Sequence, residues 1–328
     1  MERLLLDAIA GELRAGKRCM LATIIARRGS APRGVGTSML VSLAGEQTGT
    51  VGGGLLEHHV KLDALALLEK CACAVREYEI HADDKMAHSG GVTILFRPLA
   101  GETGLALAQK IRHAFDSESE AYLVCQILEG CARETTVLAP EALCSFCDLS
   151  CAPEQPLVTQ GEPRWLIEPL MPAPRVILFG GGHVAQCMAR QLDLLDYRTW
   201  VVEDREAFAV QSLFPTAERV IFCDYDRSQE KLTFTKRDHA IVMSRGHETD
   251  YQILRWLLRT EADYIGCIGS SKKIALTKER LLADGLSSTQ IARMHAPVGL
   301  AIGAETPAEI AVSIAAELIR HRSCKNAK

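Results

Sequence analysis

A glycine-rich turn in the second half of the chain has the residue types and the spacing to bind a phosphate. The apolar run at 176–179 is followed by three glycines and by a helical pattern that begins at His183. Gly180, Gly182 and Ala185 match the spacing G-x-G-x-x-A, in which small residues permit the turn, the approach of a phosphate and close packing of helix on strand. The helix N-terminus adds unpaired N–H groups. The segment therefore predicts a strand, a turn and a helix that together bind a nucleotide, with His183 at the site.

Two acidic residues follow the next predicted strand. Residues 197–204 form a β-rich run that ends in Glu203 and Asp204, about twenty residues beyond the glycines, where a ribose-binding carboxylate is expected. The alternative interpretation is a sheet whose glycine turn binds nothing.

Strands and helices alternate from residue 175 to residue 328. Strand patterns recur at 200–202, 219–222, 240–243 and 264–268, with helical patterns between them, which predicts a Rossmann-like, doubly wound parallel sheet. Ligands bind at the carboxyl ends of such strands. Ser270 and Lys272 lie there and could hold a second anion, although Ser270 could equally be a helix cap. His295 precedes two glycine turns and the last helix, and it is a further candidate.

Two glycine-rich loops lie in the first half of the chain. The loop at 27–36 carries Arg33, and Gly52, Gly53 and Gly54 precede Glu57 at the start of a long helix. Backbone amides beside arginines suit an anion such as phosphate. A pair of tight turns with solvated arginines fits these residues equally well.

Residues 1–135 are predicted to form a smaller α+β domain, and the cysteine- and proline-rich residues 136–174 a linker to the domain at 175–328. Cys144, Cys147 and Cys151 have the spacing C-x-x-C-x-x-x-C. Three thiolates could hold a metal if a fourth ligand came from elsewhere. The alternative is a loop with incidental cysteines.

The composition of the chain indicates which classes of partner are not expected. The 328-residue chain has a net charge of −4 and no basic block, so nucleic acid and anionic membranes are not expected partners. It shows neither an apolar run of about 20 residues nor the form of a signal peptide, which predicts a cytoplasmic protein. Its twelve cysteines are then expected to be reduced thiols.

The chain resembles the XdhC/CoxI family of molybdenum-hydroxylase maturation proteins. The resemblance extends from the N-terminal domain to the final helix through five ordered motifs: GSAPR at 29–33, GTVGGGLLE at 49–57, FGGGHVA at 179–185, IGSSKK at 268–273, and H-x-PVGL-x-IG followed by TP-x-EIA at 295–311.

The resemblance implies a chaperone that binds molybdenum cofactor, in its molybdopterin form, and delivers it to an apoenzyme of the xanthine dehydrogenase or aldehyde oxidoreductase class. A cysteine desulfurase is the implied partner for sulfuration of the cofactor. The loops around Arg33 and from Gly52 to Glu57 are the implied contacts, together with the glycine turn at 180–182. The pterin is not assigned to one domain or the other.

The sequence departs from the family at two positions. Leu55 and Ser89 stand where many relatives have cysteine. Because leucine cannot carry sulfur and serine is a poor substitute for a thiol, either another cysteine, such as Cys144, Cys147 or Cys151, takes over, or the protein only holds and passes the cofactor.

Two other functions are compatible with the residues. An NAD(P)-dependent oxidoreductase would use the same turn, with Glu203 or Asp204 on the ribose and His183, His247 or His295 as proton-transfer residue. The second of these functions is a nucleotide-binding regulatory module. A homodimer is expected, because two small domains on a long linker could exchange partners.

Overall fold

The computed structural model describes residues 3–31, 33–80, 90–117, 119–170 and 173–325. The chain divides into two units, Met1–Pro172 and Ala173–Lys328. In the described ranges, no helix is both long and apolar enough to cross a membrane.

The helices of the first unit are α1 (Arg3–Arg14), α2 (Gly54–Glu69), α3 (Gly101–Asp116) and α4 (Pro140–Cys147). Its strands are β1 (Cys19–Arg28), β2 (Ser38–Ser42), β3 (Gln47–Gly49), β4 (Ala74–Ile80), β5 (Gly90–Leu99), β6 (Ala121–Leu128), β7 (Cys131–Leu138), β8 (Leu157–Val158) and β9 (Arg164–Leu170).

The first unit contains a five-stranded antiparallel sheet with the order β3-β2-β1-β5-β4. Side chains alternate across a strand, so β1 has two apolar faces. Met20, Ala22 and Ile24 pack in one cluster with residues of α2. Cys19 and Leu21 pack in another with residues of α1 and α3. The central strand is thus buried on both faces.

A second sheet of the first unit has the order β7-β6-β9-β8. Its strand β9 pairs with β6 along its whole length, and Leu166 and Ile167 are fully buried. These residues come from the segment 136–174, which is predicted from the sequence to be a linker. The segment instead carries α4, β8 and β9, because its apolar residues complete a sheet that β6 and β7 alone would leave with an open edge.

The strands of the second unit are β10 (Arg175–Phe179), β11 (Arg198–Glu203), β12 (Arg219–Phe222), β13 (His239–Val242), β14 (Tyr264–Cys267) and β15 (Met294–His295). Its α-helices are α5 (His183–Leu194), α6 (His247–Leu257), α7 (Ser271–Ala283), α8 (Ser288–Ala292) and α9 (Pro307–Lys325).

These strands form one parallel sheet with the order β12-β11-β10-β13-β14-β15. Numbered within the unit, this is the order 3-2-1-4-5-6 of a dinucleotide-binding Rossmann fold. Ile177 and Phe179 pack with residues of α6 and α7, whereas Val176 and Leu178 pack with residues of α5 and α9. The prediction of a Rossmann-like, doubly wound sheet is confirmed. The edge strand β15 is too short for its pattern to have predicted it.

Candidate functional site

The glycine turn joins β10 to α5 at the carboxyl edge of the parallel sheet. Gly180 has φ +132°, and a Cβ there would lie 2.4 Å from the carbonyl oxygen of Met243, so glycine is required by the fold itself. Gly182 differs, because an added Cβ would meet no atom within 4 Å. Ala185 is buried and lets α5 pack closely on the sheet. The turn therefore leaves open space in front of Gly182.

Gly182 is the N-cap of α5, and no side chain caps this helix end. The first N–H groups of a helix have no partner within the helix and are normally satisfied by a cap, by water or by a ligand. The exposed His183 follows as the first helical residue. The turn thus leaves the first N–H groups of α5 open to an anion, and phosphate binding there stays a prediction.

Glu203 is fully buried at the end of β11 and faces the glycine turn. Its carboxylate accepts hydrogen bonds from the Gly181 N–H and from the backbone and guanidinium of Arg205, with Oε1 2.7 Å from Arg205 Nε and Oε2 2.9 Å from Nη2. Burial opposes its ionisation, but these bonds prevail and lower the pKa of Glu203. The carboxylate of Glu203 is thus already engaged by four hydrogen bonds from the protein.

Asp204 is partly exposed beside Glu203. Burial and the neighbouring Glu203 raise its pKa, while Arg245 and Arg205 act in the opposite direction. Its Oδ1 is buried and has no hydrogen-bond partner among the described residues. Asp204 is therefore the carboxylate of the pair with spare hydrogen-bonding capacity.

A small cavity of about 140 Å³ lies between the carboxyl ends of β13 and β14. Arg245, His247 and Lys273 line it with positive or titratable groups, and Asp250 lines it with a carboxyl. Asp250 accepts a hydrogen bond from Ser244 Oγ at 2.6 Å, and burial raises its pKa. The cavity adjoins the glycine turn, because Gly180 contacts the backbone at Met243 and Ser244.

Ser270 and Lys272 do not act together at this cavity. Ser270 caps α7 by accepting a hydrogen bond from the Lys273 N–H at 3.5 Å. Lys272 is exposed, whereas the next residue, Lys273, lines the cavity. The geometry thus matches the helix-cap interpretation of Ser270.

His295 lies on β15, where its ring stacks on Tyr264 with centroids 4.4 Å apart. Its Nδ1 is 3.4 Å from Glu317 of α9. Burial lowers the pKa of His295, although Glu317 acts against this shift. These contacts place the side chain on the face of the sheet that α9 covers.

The two glycine loops of the first unit lie at the same end of its five-stranded sheet. β1, β3 and β4 end there and β2 and β5 begin there, because neighbouring strands are antiparallel. A Cβ on Gly90 would lie 2.3 Å from the Ser30 carbonyl oxygen, so the first loop packs against the start of β5. Arg33 is exposed in this loop, and no described side chain pairs with it.

Glu57 holds the second glycine loop together. Its carboxylate accepts hydrogen bonds from the N–H groups of Gly53 at 3.1 Å and Val51 at 3.3 Å, and from the side chains of Thr50 and Gln47. Burial opposes ionisation, but these four bonds together lower its pKa. The carboxylate of Glu57 thus already accepts hydrogen bonds from two backbone N–H groups, of Val51 and Gly53, in the loop that was expected to bind a ligand.

Gly52, Gly53 and Gly54 have positive φ angles of 144°, 77° and 60°. Such angles are strained for other residues, so the loop requires glycine for its backbone path. Leu55, one of the two positions that lack the family cysteine, is 74% exposed directly after this loop. Ser89, the other, lies outside the described residues.

The cysteines proposed as metal ligands do not converge. Cys144 and Cys147 lie on α4, where Cys147 is buried, while Cys151 is exposed beyond the helix. In the described ranges, the three sulfur atoms do not all lie within 4.8 Å of one another. Burial, and secondly Cys144, raise the pKa of Cys147, which favours the thiol over the thiolate that binds metals. Among the described residues, these three sulfurs therefore do not come together as a ligand set.

Arg205 contributes to the site without having been predicted from the sequence. Asp250 and Lys273 lie in the segments 244–250 and 269–273, which follow predicted strands and are therefore candidates at the carboxyl edge of the sheet. Arg205 directly follows the acidic pair, which was a usable signal, because a guanidinium beside two carboxylates commonly pairs with one of them. The sequence does not predict that Asp250 and Lys273 line the same cavity, since this depends on how α6 and α7 pack on the sheet.

Comparison with known proteins places both units of the chain in one family. Residues 176–318 match the family described as XdhC Rossmann domain, and residues 12–79 match the XdhC and CoxI family. A Bacillus subtilis protein described as a probable xanthine dehydrogenase subunit is 28% identical over 97% of this chain and 96% of its own length. Escherichia coli YqeB, described as uncharacterized, is 30% identical over 45% of this chain and 27% of its own length.

A crystal structure described as a xanthine dehydrogenase from Bacillus halodurans shares the fold. It superposes with a TM-score of 0.81 over 98% of this chain and 95% of that chain, at 24% sequence identity. The two matched regions fall in the two units, and the Bacillus subtilis relative is similar along nearly the whole chain. The chain therefore belongs to the XdhC and CoxI family.

Proposed function

We propose that this protein is an accessory factor of a molybdenum hydroxylase in the xanthine dehydrogenase or aldehyde oxidoreductase class, and that it binds molybdenum cofactor and delivers it to the apoenzyme. Membership in the XdhC and CoxI family supports the proposal. The Bacillus subtilis relative, described as a probable xanthine dehydrogenase subunit, supports a role beside such an enzyme.

One observation carries the proposal: no side chain caps the start of α5, and the space beside Gly182 is open. Molybdopterin carries a phosphate, and dinucleotide forms carry a pyrophosphate. Unpaired N–H groups and the positive end of a helix dipole suit such an anion. The residues at this turn therefore fit the anionic part of the cofactor.

The N-terminal unit supplies a second candidate contact. Arg33 is an exposed guanidinium without a described partner at the loop end of the five-stranded sheet. A guanidinium fork pairs well with phosphate. Because exposed Leu55 has no thiol to relay sulfur, the proposed role is to hold and pass the cofactor, and a cysteine desulfurase is not a required partner.

The test is to purify the protein from a host that makes molybdenum cofactor and to measure bound molybdenum and pterin by mass spectrometry and absorbance. Stoichiometric cofactor is expected, reduced by Arg33→Ala and retained by Arg14→Ala, which removes an exposed arginine at the end of α1. Protein without pterin that also fails to activate a xanthine dehydrogenase apoenzyme would contradict the proposal.

Gly182→Asp tests the turn without disturbing the fold. Its backbone is extended, with φ −72°, and open space surrounds the new Cβ. Asp is a slightly better N-cap than Gly and should stabilise the unit by roughly a few tenths of a kcal/mol. The same carboxylate repels phosphate and should weaken cofactor binding at least tenfold. Gly11→Asp, an exposed position on α1, is the control.

A nicotinamide-dependent oxidoreductase is the second candidate, favoured by the strand order and the glycine turn. The engaged carboxylate of Glu203 is the observation against it. Bound NAD(P) together with hydride transfer, both insensitive to Arg33→Ala, would favour this function over cofactor delivery.

A further inference from the structure

Three potential metal ligands meet at the amino-terminal edge of the Rossmann sheet, the edge opposite the glycine turn. His239 is the first residue of β13, Asp263 directly precedes β14, and His321 lies near the end of α9. Each offers one ligand atom, and the three atoms lie within 4.8 Å of one another. The fold therefore brings these three residues, which are far apart in the sequence, close enough to share one ion.

The distances centre on a single carboxylate oxygen. Asp263 Oδ2 lies 3.0 Å from His321 Nε2 and 3.5 Å from His239 Nε2. Ligand atoms on a tetrahedral zinc ion, with bonds of about 2.0–2.1 Å, are about 3.3 Å apart. The observed separations bracket this value, so an ion could be accepted with small movements of the side chains.

His239 is incompletely satisfied by the protein. Its side chain is 6% exposed, and its Nδ1 is buried without a hydrogen-bond partner among the described residues. Its Nε2, the atom that faces Asp263 and His321, makes no closer polar contact among the described residues than the 3.5 Å approach to Asp263. This distance is long for a hydrogen bond, so Nε2 can accept an ion, whereas Nδ1 lies on the other side of the ring and takes no part in the site.

The site is sheltered but open to an ion. The side chains of Asp263 and His321 are 15% and 20% exposed. The His321 ring packs edge-on against Tyr264, with centroids 5.1 Å apart, and against His295 at 5.6 Å. These ring contacts hold the imidazole in its orientation, as the surroundings of metal-binding histidines normally do.

We propose that His239, Asp263 and His321 bind a divalent ion of the zinc class. Two imidazole nitrogens and one carboxylate oxygen form a donor set that suits such ions and does not suit Mg²⁺ or Ca²⁺, which prefer oxygen ligands. Water completes the coordination. Two ligands belong to the sheet and one to α9, so the bound ion fastens the C-terminal helix to the sheet.

The site is separate from the proposed cofactor site, because the two lie at opposite edges of the same parallel sheet. Zinc binding would therefore be retained in Gly182→Asp and Arg33→Ala. Loss of molybdenum cofactor in those variants and loss of zinc in the variants below are distinguishable outcomes.

The test uses the full-length protein without a histidine tag, freed of metal with a chelator. Titration with Co²⁺, followed by visible d–d absorption, is expected to give a stoichiometric site with the intense bands of low coordination number. Calorimetry with Zn²⁺ should give the same stoichiometry, and Zn²⁺ should raise the melting temperature by mass action.

Asp263→Asn and His321→Ala should each weaken Zn²⁺ binding by more than about tenfold. Asp263→Asn keeps the shape of the side chain, and circular dichroism checks that both variants fold. His113→Ala removes an exposed histidine from the last turn of α3 and should bind as the parent does. A parent protein that gives no stoichiometric Co²⁺ spectrum, or variants that all bind Zn²⁺ equally, would overturn the proposal.

Discussion

Two carboxylates that the sequence assigned to ligand binding turn inward to organise their own glycine loops. Glu57 accepts the N–H groups of Val51 and Gly53, and Glu203 accepts that of Gly181. A carboxylate that receives backbone N–H groups is stabilised in its charged form. Each acid thus fixes the loop beside it, and the open amides at Gly182 remain for an external anion.

Glu57→Gln should destabilise the first unit at neutral pH. Because hydrogen bonds lower the pKa of Glu57 below its value in the unfolded chain, its stabilising contribution is present above the unfolded pKa and is lost as the pH falls through the folded pKa. The expected cost at pH 7 is about 1–2 kcal/mol in the free energy of unfolding. Urea unfolding at pH 7 and at pH 4 measures it, and the difference should shrink at the lower pH. Glu69→Gln, at the exposed end of α2, should show no such dependence.

Arg205→Ala should destabilise the second unit more strongly. It leaves the buried Glu203 carboxylate with fewer partners, and removing one partner of a buried pair is costly. Arg205 is itself 28% exposed, so solvent screens part of the interaction. The expected loss in the free energy of unfolding, measured with urea, is about 2–3 kcal/mol. Arg227→Ala breaks an exposed pair with Glu230 and should cost less than about 0.5 kcal/mol. Equal losses in the two variants would show that Glu203 does not depend on Arg205.

At the scale of elements, a buried ion pair joins the two sheets of the first unit. Arg97 of β5 and Glu168 of β9 are 4% and 0% exposed, and their closest N and O atoms are 3.4 Å apart. Arg97 also donates a hydrogen bond to Thr23 of β1. Arg97 Nε and Glu168 Oε1 lack partners among the described residues, so the pair is only partly satisfied.

Glu168→Leu should therefore be strongly destabilising, because it leaves the Arg97 guanidinium buried without its counter-charge. The expected loss is about 3–5 kcal/mol in the free energy of unfolding. The double variant Arg97→Met, Glu168→Leu should recover most of it, because it removes both charges and keeps the apolar volume. Chemical denaturation of both variants checks this, and a double variant as unstable as the single one would contradict it.

The elements themselves were largely predictable from the sequence. The strands and helices of the second unit follow from alternating short apolar runs and helical spacing, and G-x-G-x-x-A placed the turn correctly. The strand β9 was missed because Pro163 and Pro169 flank or interrupt its apolar centre, and proline normally argues against a strand. The inward orientation of Glu203 was also unpredictable, since it depends on Arg205 folding back over the turn.

At the scale of the whole molecule, each unit has its own apolar cores. The clusters around α5, α6, α7 and α9 consist of residues after 173, and those around α1, α2 and α3 consist of residues before it. Units with separate cores commonly fold alone. The change of fold class, from antiparallel sheets to one parallel sheet, falls at the same boundary.

The fragment 173–328 should therefore fold without residues 1–172. In the part of the chain that the structure describes, its six strands pair only with one another, and its sheet is covered by its own helices on both faces. Circular dichroism and a single cooperative thermal transition would establish folding. If the glycine turn binds the anionic part of the cofactor, the isolated fragment should retain nucleotide or pterin phosphate binding, and Gly182→Asp should weaken it at least tenfold there, as in the full chain. A folded fragment that binds neither, beside a full chain that does, would move the main contact to the loops around Arg33 and would show that the Rossmann turn is not sufficient for binding.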